Sequence, residues 1–171
     1  RRQRQMCIRD RVSTNSIYTR FGDKSGLFSA VVKPAADGLM EIYLGSISEA
    51  SVCGSANTAI DMGSDGTEQV LKYIYDNLDA FRLIFCNSAG TEYEDYFDRL
   101  AETEEKFYRE FVRKYAKEPQ KISDFFIHVV CRTGWQYVFE VVSHDIPYEE
   151  AQGFMKSIRE YSFAGWKRVM E

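Results

Sequence analysis

VSTNSIYTRFGDKSGLFSAVV, residues 12–32, is the stretch whose reading decides the fold. Ser13 is a suitable N-cap for a short helix that carries Ile17, Tyr18 and Phe21 on one side. Gly22 is placed to end that helix, and Asp23 to cap the next one. Leu27, Phe28, Val31 and Val32 then share a face, and the same spacing continues through Leu39, Met40, Tyr43, Leu44 and Ile47. Pro34 falls inside this run and is expected to bend the helix rather than end it, because the periodicity resumes beyond it.

The rest of the chain has the same helical grammar. Residues 53–66, CGSANTAIDMGSDG, read as a mobile linker of small and polar residues. Asp65 with Glu68 resembles a capping box that opens a helix through Val70, Leu71, Ile74 and Leu78. Asn77–Asp79 marks a break, a short helix carries Phe81, Leu83, Ile84 and Phe85, and 87–90 is a turn. Residues 92–117 give the strongest signal, with Tyr93, Phe97, Leu100, Phe107, Phe111 and Tyr115 at helical spacing. The acid precedes the base by four residues in Asp95/Arg99, Glu102/Lys106, Glu105/Arg109 and Glu110/Lys114, as on an exposed face. Glu104 and Glu105 are therefore expected in a solvated charged stripe. In 120–143, FFIHVV and YVFEVV have the composition of strands, but their length and helical neighbours favour a helix buried on most sides. Pro147, Glu149 and Glu150 start a last helix with Ala151, Phe154, Met155, Ile158, Trp166 and Val169 on its apolar face.

The expected class is thus all-α, and composition narrows the function. Of 171 residues, 44% are apolar and only 3 are proline, enough for one sizeable core and too few breakers for a loop-rich β-sandwich. Five arginines and one acid lie in 1–11, so residues 12–171, with seventeen bases and twenty-five acids, carry a net charge of −8. An acidic body is a poor general binder of nucleic acid or anionic membrane, so any DNA contact must be local. Met6–Arg11, MCIRDR, resembles the translation of a transposon end used in preparing sequencing libraries, and residues 1–11 are read as an artefactual tail. The alternative is a basic arm that grips phosphates. Cysteines at 7, 53, 86 and 131 have no metal-ligand or CxxC spacing, which suits reduced thiols in the cytoplasm. The most apolar segment, 122–142, is interrupted by Asp124, Arg132 and Glu140 and is no membrane span.

Tyr18, Phe21, Lys24, Leu27 and Phe28 carry a resemblance. Over about twenty residues the pattern Tyr-x-x-Phe, a short turn, Lys and Leu-Phe resembles the DNA-binding signature of TetR-type (tetracycline-repressor-like) transcriptional regulators. The resemblance implies a partial helix-turn-helix at 12–33, made of the recognition helix and the start of the connecting helix, followed by a helical effector-binding and dimerisation domain at 34–171. Thr14, Asn15 and Ser16 would meet base edges in the major groove. Tyr18, Thr19, Arg20 and Lys24 would reach phosphates, and residues 12–33 carry a net charge of +2. The family pattern also has two helices before the recognition helix, where this chain has only the tail. The 171-residue chain is accordingly not expected to grip an operator tightly.

The resemblance further implies a ligand-responsive regulator, a repressor in the first instance, bound to operator DNA as a homodimer through 120–143 and 147–170. Its small-molecule effector would lie among 66–117 and 120–143, where Tyr73, Phe85, Tyr108, Phe111, His128, Cys131 and Trp135 are candidate liners. His128 and Cys131 stand three apart, but two ligands do not make a metal site, and a satisfied core histidine is the simpler reading. His144 and Asp145 suit a helix end. No catalytic motif is recognisable, and no cofactor or metal is expected. The alternative is an all-helical small-molecule-binding or catalytic protein without a DNA role.

Overall fold

The computed structural model describes residues 14–51 and 56–171; the side chains of 14, 49–51 and 56–65 lie outside the description, as do the tail, Val12 and Ser13. The described chain is all-α. Its helices are α1 (Thr14–Phe21), α2 (Lys24–Ser51), α3 (Ala56–Asp76), α4 (Leu78–Asn87), α5 (Tyr96–Tyr115), α6 (Asp124–Ser143) and α7 (Tyr148–Met170), with a 3-10 turn at Pro119–Lys121.

α2 runs through Pro34 without ending. It packs against α1, α3, α4 and α5. Its buried face, Val32, Ala35, Ala36 and Leu39, is small for its length, and that lets larger side chains reach the backbone. The Tyr96 hydroxyl donates to the Ala36 carbonyl at 2.7 Å, and that of Tyr73 lies 3.4 Å from the Pro34 carbonyl. Around this strip close Val70, Leu71 and Ile74 of α3, Phe81 and Ile84 of α4, Leu100 of α5, and Trp135, Val138, Val141 and Val142 of α6. Ala151 and Met155 of α7 complete the core. Each fully buried large side chain such as Phe81 or Leu39 contributes about 1.5–3 kcal/mol.

The strand-like segment is helical for reasons visible in its own sequence. The Ser123 hydroxyl accepts from the Phe126 N–H at 3.1 Å and caps α6. Its buried residues, Ile127, Cys131, Trp135, Val138, Val141 and Val142, recur every three or four positions instead of alternating. A tight turn follows, in which Asp145 has φ 56 and ion-pairs with Arg82 at 2.5 Å. The Tyr75 hydroxyl donates to the Ile146 carbonyl at 2.7 Å and holds this turn against α3.

Two boundaries depart from the sequence reading. The helix expected from 92 begins at Tyr96, and Tyr93 packs into the core from the preceding turn. More consequentially, the expected linker is largely helix: α3 starts at Ala56, and Asp65 lies inside it rather than at its start. Residues 52–55 lie outside the description. The reason is tertiary. A Cβ on Gly66 would stand 2.8 Å from the Ser46 Cβ, so this glycine permits α3 to pack closely on α2 instead of marking a loop. Gly45, also helical, meets nothing within 4 Å. Gly66→Ala is therefore expected to destabilise by about 1–3 kcal/mol through overpacking, whereas Gly45→Ala should stabilise by up to about 1 kcal/mol from helix propensity. Urea unfolding of the two variants reads the opposite signs.

Candidate functional site

α1 and the start of α2 form the corner that the motif anticipated. Gly22 adopts φ 77, where a side chain would be strained, and turns the chain. The Asp23 carboxylate accepts from the Gly26 N–H at 2.8 Å and caps α2. A Cβ on Gly26 would stand 2.0 Å from the Phe21 carbonyl oxygen, so the end of α1 rests directly on the first turn of α2. Asn15, Ser16, Tyr18, Thr19, Arg20 and Lys24 are all solvent-exposed, while Ile17 and Phe21 are partly covered; of Thr14 only the backbone is described. The Thr19 hydroxyl donates back to the Asn15 carbonyl at 2.8 Å. The Arg20 guanidinium sits 5.4 Å from the Phe21 ring centre. Neither Arg20 nor Lys24 is ion-paired with a described residue, whereas Lys33 pairs with Asp37 at 2.9 Å.

The candidate liners do not converge on one cavity. A half-open groove of about 760 Å³ runs between α2 and α5, lined by Leu44, Ile47, Thr103, Lys106, Phe107, Glu110, Phe111, Arg113, Lys114 and Tyr115. A smaller one of about 220 Å³ is lined by Ile84, Phe85, Ser88, Tyr93, Glu94, Phe97, Arg132, Gln136 and Phe139. Of the seven residues, Phe111 faces the first and Phe85 the second. Tyr73 and Trp135 belong to the main core. Tyr108 stacks on Trp166 with ring centres 4.8 Å apart. Cys131 is buried beside Ile127 and Val112, and burial pushes its thiol well up, which makes it a poor nucleophile.

Glu104 and Glu105 overturn the expectation of a solvated stripe. Glu105 is only 6% exposed. One of its oxygens accepts from Arg109 at 2.7 Å and the other lies 2.7 Å from His128 Nδ1, with Asp124 3.5 Å from the same arginine. His128 is therefore a partner for a buried carboxylate. Glu104 has no such compensation. Its Oε2, the Tyr43 hydroxyl and Trp135 Nε1 are all sealed from solvent, and none of them has a hydrogen-bond partner. Tyr43 and Trp135 meet edge to face with centres 5.0 Å apart. Burial pushes the Glu104 carboxyl up to about 8; the polar hydrogens of Tyr43 and Trp135 pull the other way by less. Burial, reinforced by Glu104, raises the Tyr43 hydroxyl as well. Helical arithmetic carried the missed signal: Glu104 lies four after Leu100 and four before Tyr108, and Glu105 four after Ala101, on the covered face.

Among the described residues no three metal-ligating side chains converge, and no helix is long and apolar enough to cross a membrane. The chain matches no family model, no curated protein and no solved structure.

The carboxyl of Glu104 holds a proton in the folded state that the unfolded chain, with an ordinary value of 4.5, has lost. Stability from this group is full below about pH 4.5 and is lost as pH rises toward 8, at a slope of up to about 1.4 kcal/mol per pH unit. Glu104→Gln should remove that slope. Urea unfolding at several pH values across this window should show the parent weakening relative to the variant, and parallel profiles would mean that the acid is not held neutral.

Proposed function

We propose that the chain is the body of a ligand-responsive, TetR-type transcriptional regulator that binds operator DNA as a homodimer and releases it when a small molecule occupies the helical domain. The observation that carries this reading is the corner of α1 and the start of α2: a short helix seated on its neighbour, with its described polar side chains turned to solvent and with Arg20 of α1 and Lys24 of α2 ion-paired to no described residue. Such a helix suits the major groove, with Asn15 and Ser16 toward base edges and Tyr18, Arg20 and Lys24 toward phosphates. The acidic remainder confines this contact to one end of the protein.

Dimerisation through α6 and α7 draws on their exposed apolar side chains. Phe125 and Tyr161 are each 73% exposed, Val129 is exposed one turn after Phe125 on α6, and Phe154 and Val169 are exposed on the same side of α7 as Tyr161. Exposed apolar side chains on one helix face suit a partner surface. A two-fold axis there would supply the pair of recognition helices that a symmetric operator needs, about 34–36 Å apart. The reading needs no cofactor and no catalytic residue. The second reading, an all-helical small-molecule-binding or catalytic protein without a DNA role, is favoured by the buried Glu104 Oε2, which has no hydrogen-bond partner, on a carboxyl of raised pKa such as enzymes and binding sites use.

One experiment separates the two. From a random-sequence duplex pool, the protein carrying the two helices that the family pattern has before α1 should select a two-fold symmetric sequence with half-sites one helical turn apart. Replacing Tyr18 and Lys24 by Ala should weaken that complex with helicity unchanged. The slope of log affinity against log salt should become shallower by about one for each phosphate no longer neutralised. Enrichment of no symmetric sequence, or unaltered binding by the variant, would sink the regulator reading. For the dimer, Phe154→Asp combined with Tyr161→Asp should yield monomers in sedimentation.

A further inference from the structure

We propose that the groove between α2 and α5 binds an amphipathic organic anion, an acidic headgroup on an unbranched apolar tail. Its volume, about 760 Å³, falls among those of small-molecule pockets. Its inner surface is apolar: Leu44 from α2, with Phe107 and Phe111 from α5. Phe111 is buried within an aromatic cluster of its own, separate from the main core, so a wall of packed rings backs the groove. A flexible tail laid along that wall removes apolar area from water on both partners.

The polar members of the lining have a consistent sign. Among the described lining residues the charged side chains are Lys106, Arg113, Lys114 and Glu110, and the Glu110 carboxylate is already held by Arg113 at 2.9 Å. Lys106 makes no ion pair with a described residue, although Glu102 stands four residues before it. This cationic cluster lies on a body whose net charge is −8, so its sign is not inherited from the surroundings. An anionic headgroup at Lys106 gains a charge-assisted hydrogen bond, while a cationic amphiphile is repelled.

The location adds a consequence. α2 is one continuous helix, with the α1 junction at Gly26 and a wall of the groove at Leu44. A tail that wedges α2 from α5 bears on the element that seats α1. This coupling rests on the regulator reading above; the binding itself does not.

The test uses fatty carboxylates below their micellar concentrations and needs no DNA. Octanoate and decanoate, titrated calorimetrically into the chain, should each bind saturably, with about fourfold tightening per added methylene. Methyl decanoate and Lys106→Gln should each weaken binding by roughly tenfold, and decyltrimethylammonium should not bind. Leu44→Trp, at an exposed position, should fill the groove and abolish binding while the helical circular dichroism is retained. The proposal is overturned by absence of saturable binding, by equal binding of the ester or the cation, or by indifference to both substitutions. A change of oligomeric state on Leu44→Trp without fatty-acid binding would assign the groove to a second protein chain instead. Failure here leaves the operator selection standing, and failure of that selection leaves this binding standing.

Discussion

α2 must admit four neighbours along a single helix, and the other elements arrange themselves around that constraint. A helix with large side chains on every face keeps its neighbours 8–10 Å away and offers no access to its backbone. α2 instead turns Ala35, Ala36 and Gly38 toward α3 and α5. The hydroxyl of Tyr73 occupies the place where a Cβ of Gly38 would be, and that of Tyr96 reaches the Ala36 carbonyl. Packing this close leaves little room for adjustment, since protein interiors respond to the volume of single methyl groups. It also explains why α2 can join the α1 corner to the body without a hinge between them.

The paired acids of α5 show how neighbouring residues of one type are driven apart by their surroundings. Glu105 is accommodated in a covered position because Arg109 and His128 take one oxygen each. Glu104 faces Tyr43 and Trp135 without a hydrogen bond to its buried Oε2, so burial favours the neutral acid. An ionised carboxylate left unpaired in a low-dielectric setting costs several kcal/mol, and protonation is the cheaper outcome. Tyr108, covered beside it and stacked on Trp166, links this polar pocket to α7.

The α1 corner and the groove are joined by α2. At one end Gly22, Asp23 and Gly26 set the angle of α1 through a turn, a cap and a close approach. At the other, Leu44 contributes to a groove whose opposite wall is α5. A ligand shifts an equilibrium only by its differential affinity for two states. The groove offers a means of such a difference, because its width depends on the relative position of α2 and α5.

Much of this fold was legible locally. The corner at 14–32, with its glycine stop and aspartate cap, follows from short-range backbone chemistry, as do the Ser123-capped α6 and the Pro147 start of α7. The apolar period of 3.6 names each helix because it is written into the helix itself. Tertiary structure alone decided what those faces meet. Gly66 has the local character of a breaker, yet Ser46 packs against it, and the opposite-charge spacing around Glu104 and Glu105 suits an exposed face equally well. The physical reason is the same in both cases. Propensity and charge spacing act over one turn of helix. Burial depends on neighbours remote along the chain, Ser46 for Gly66 and Tyr43 for Glu104, and nothing local records their approach.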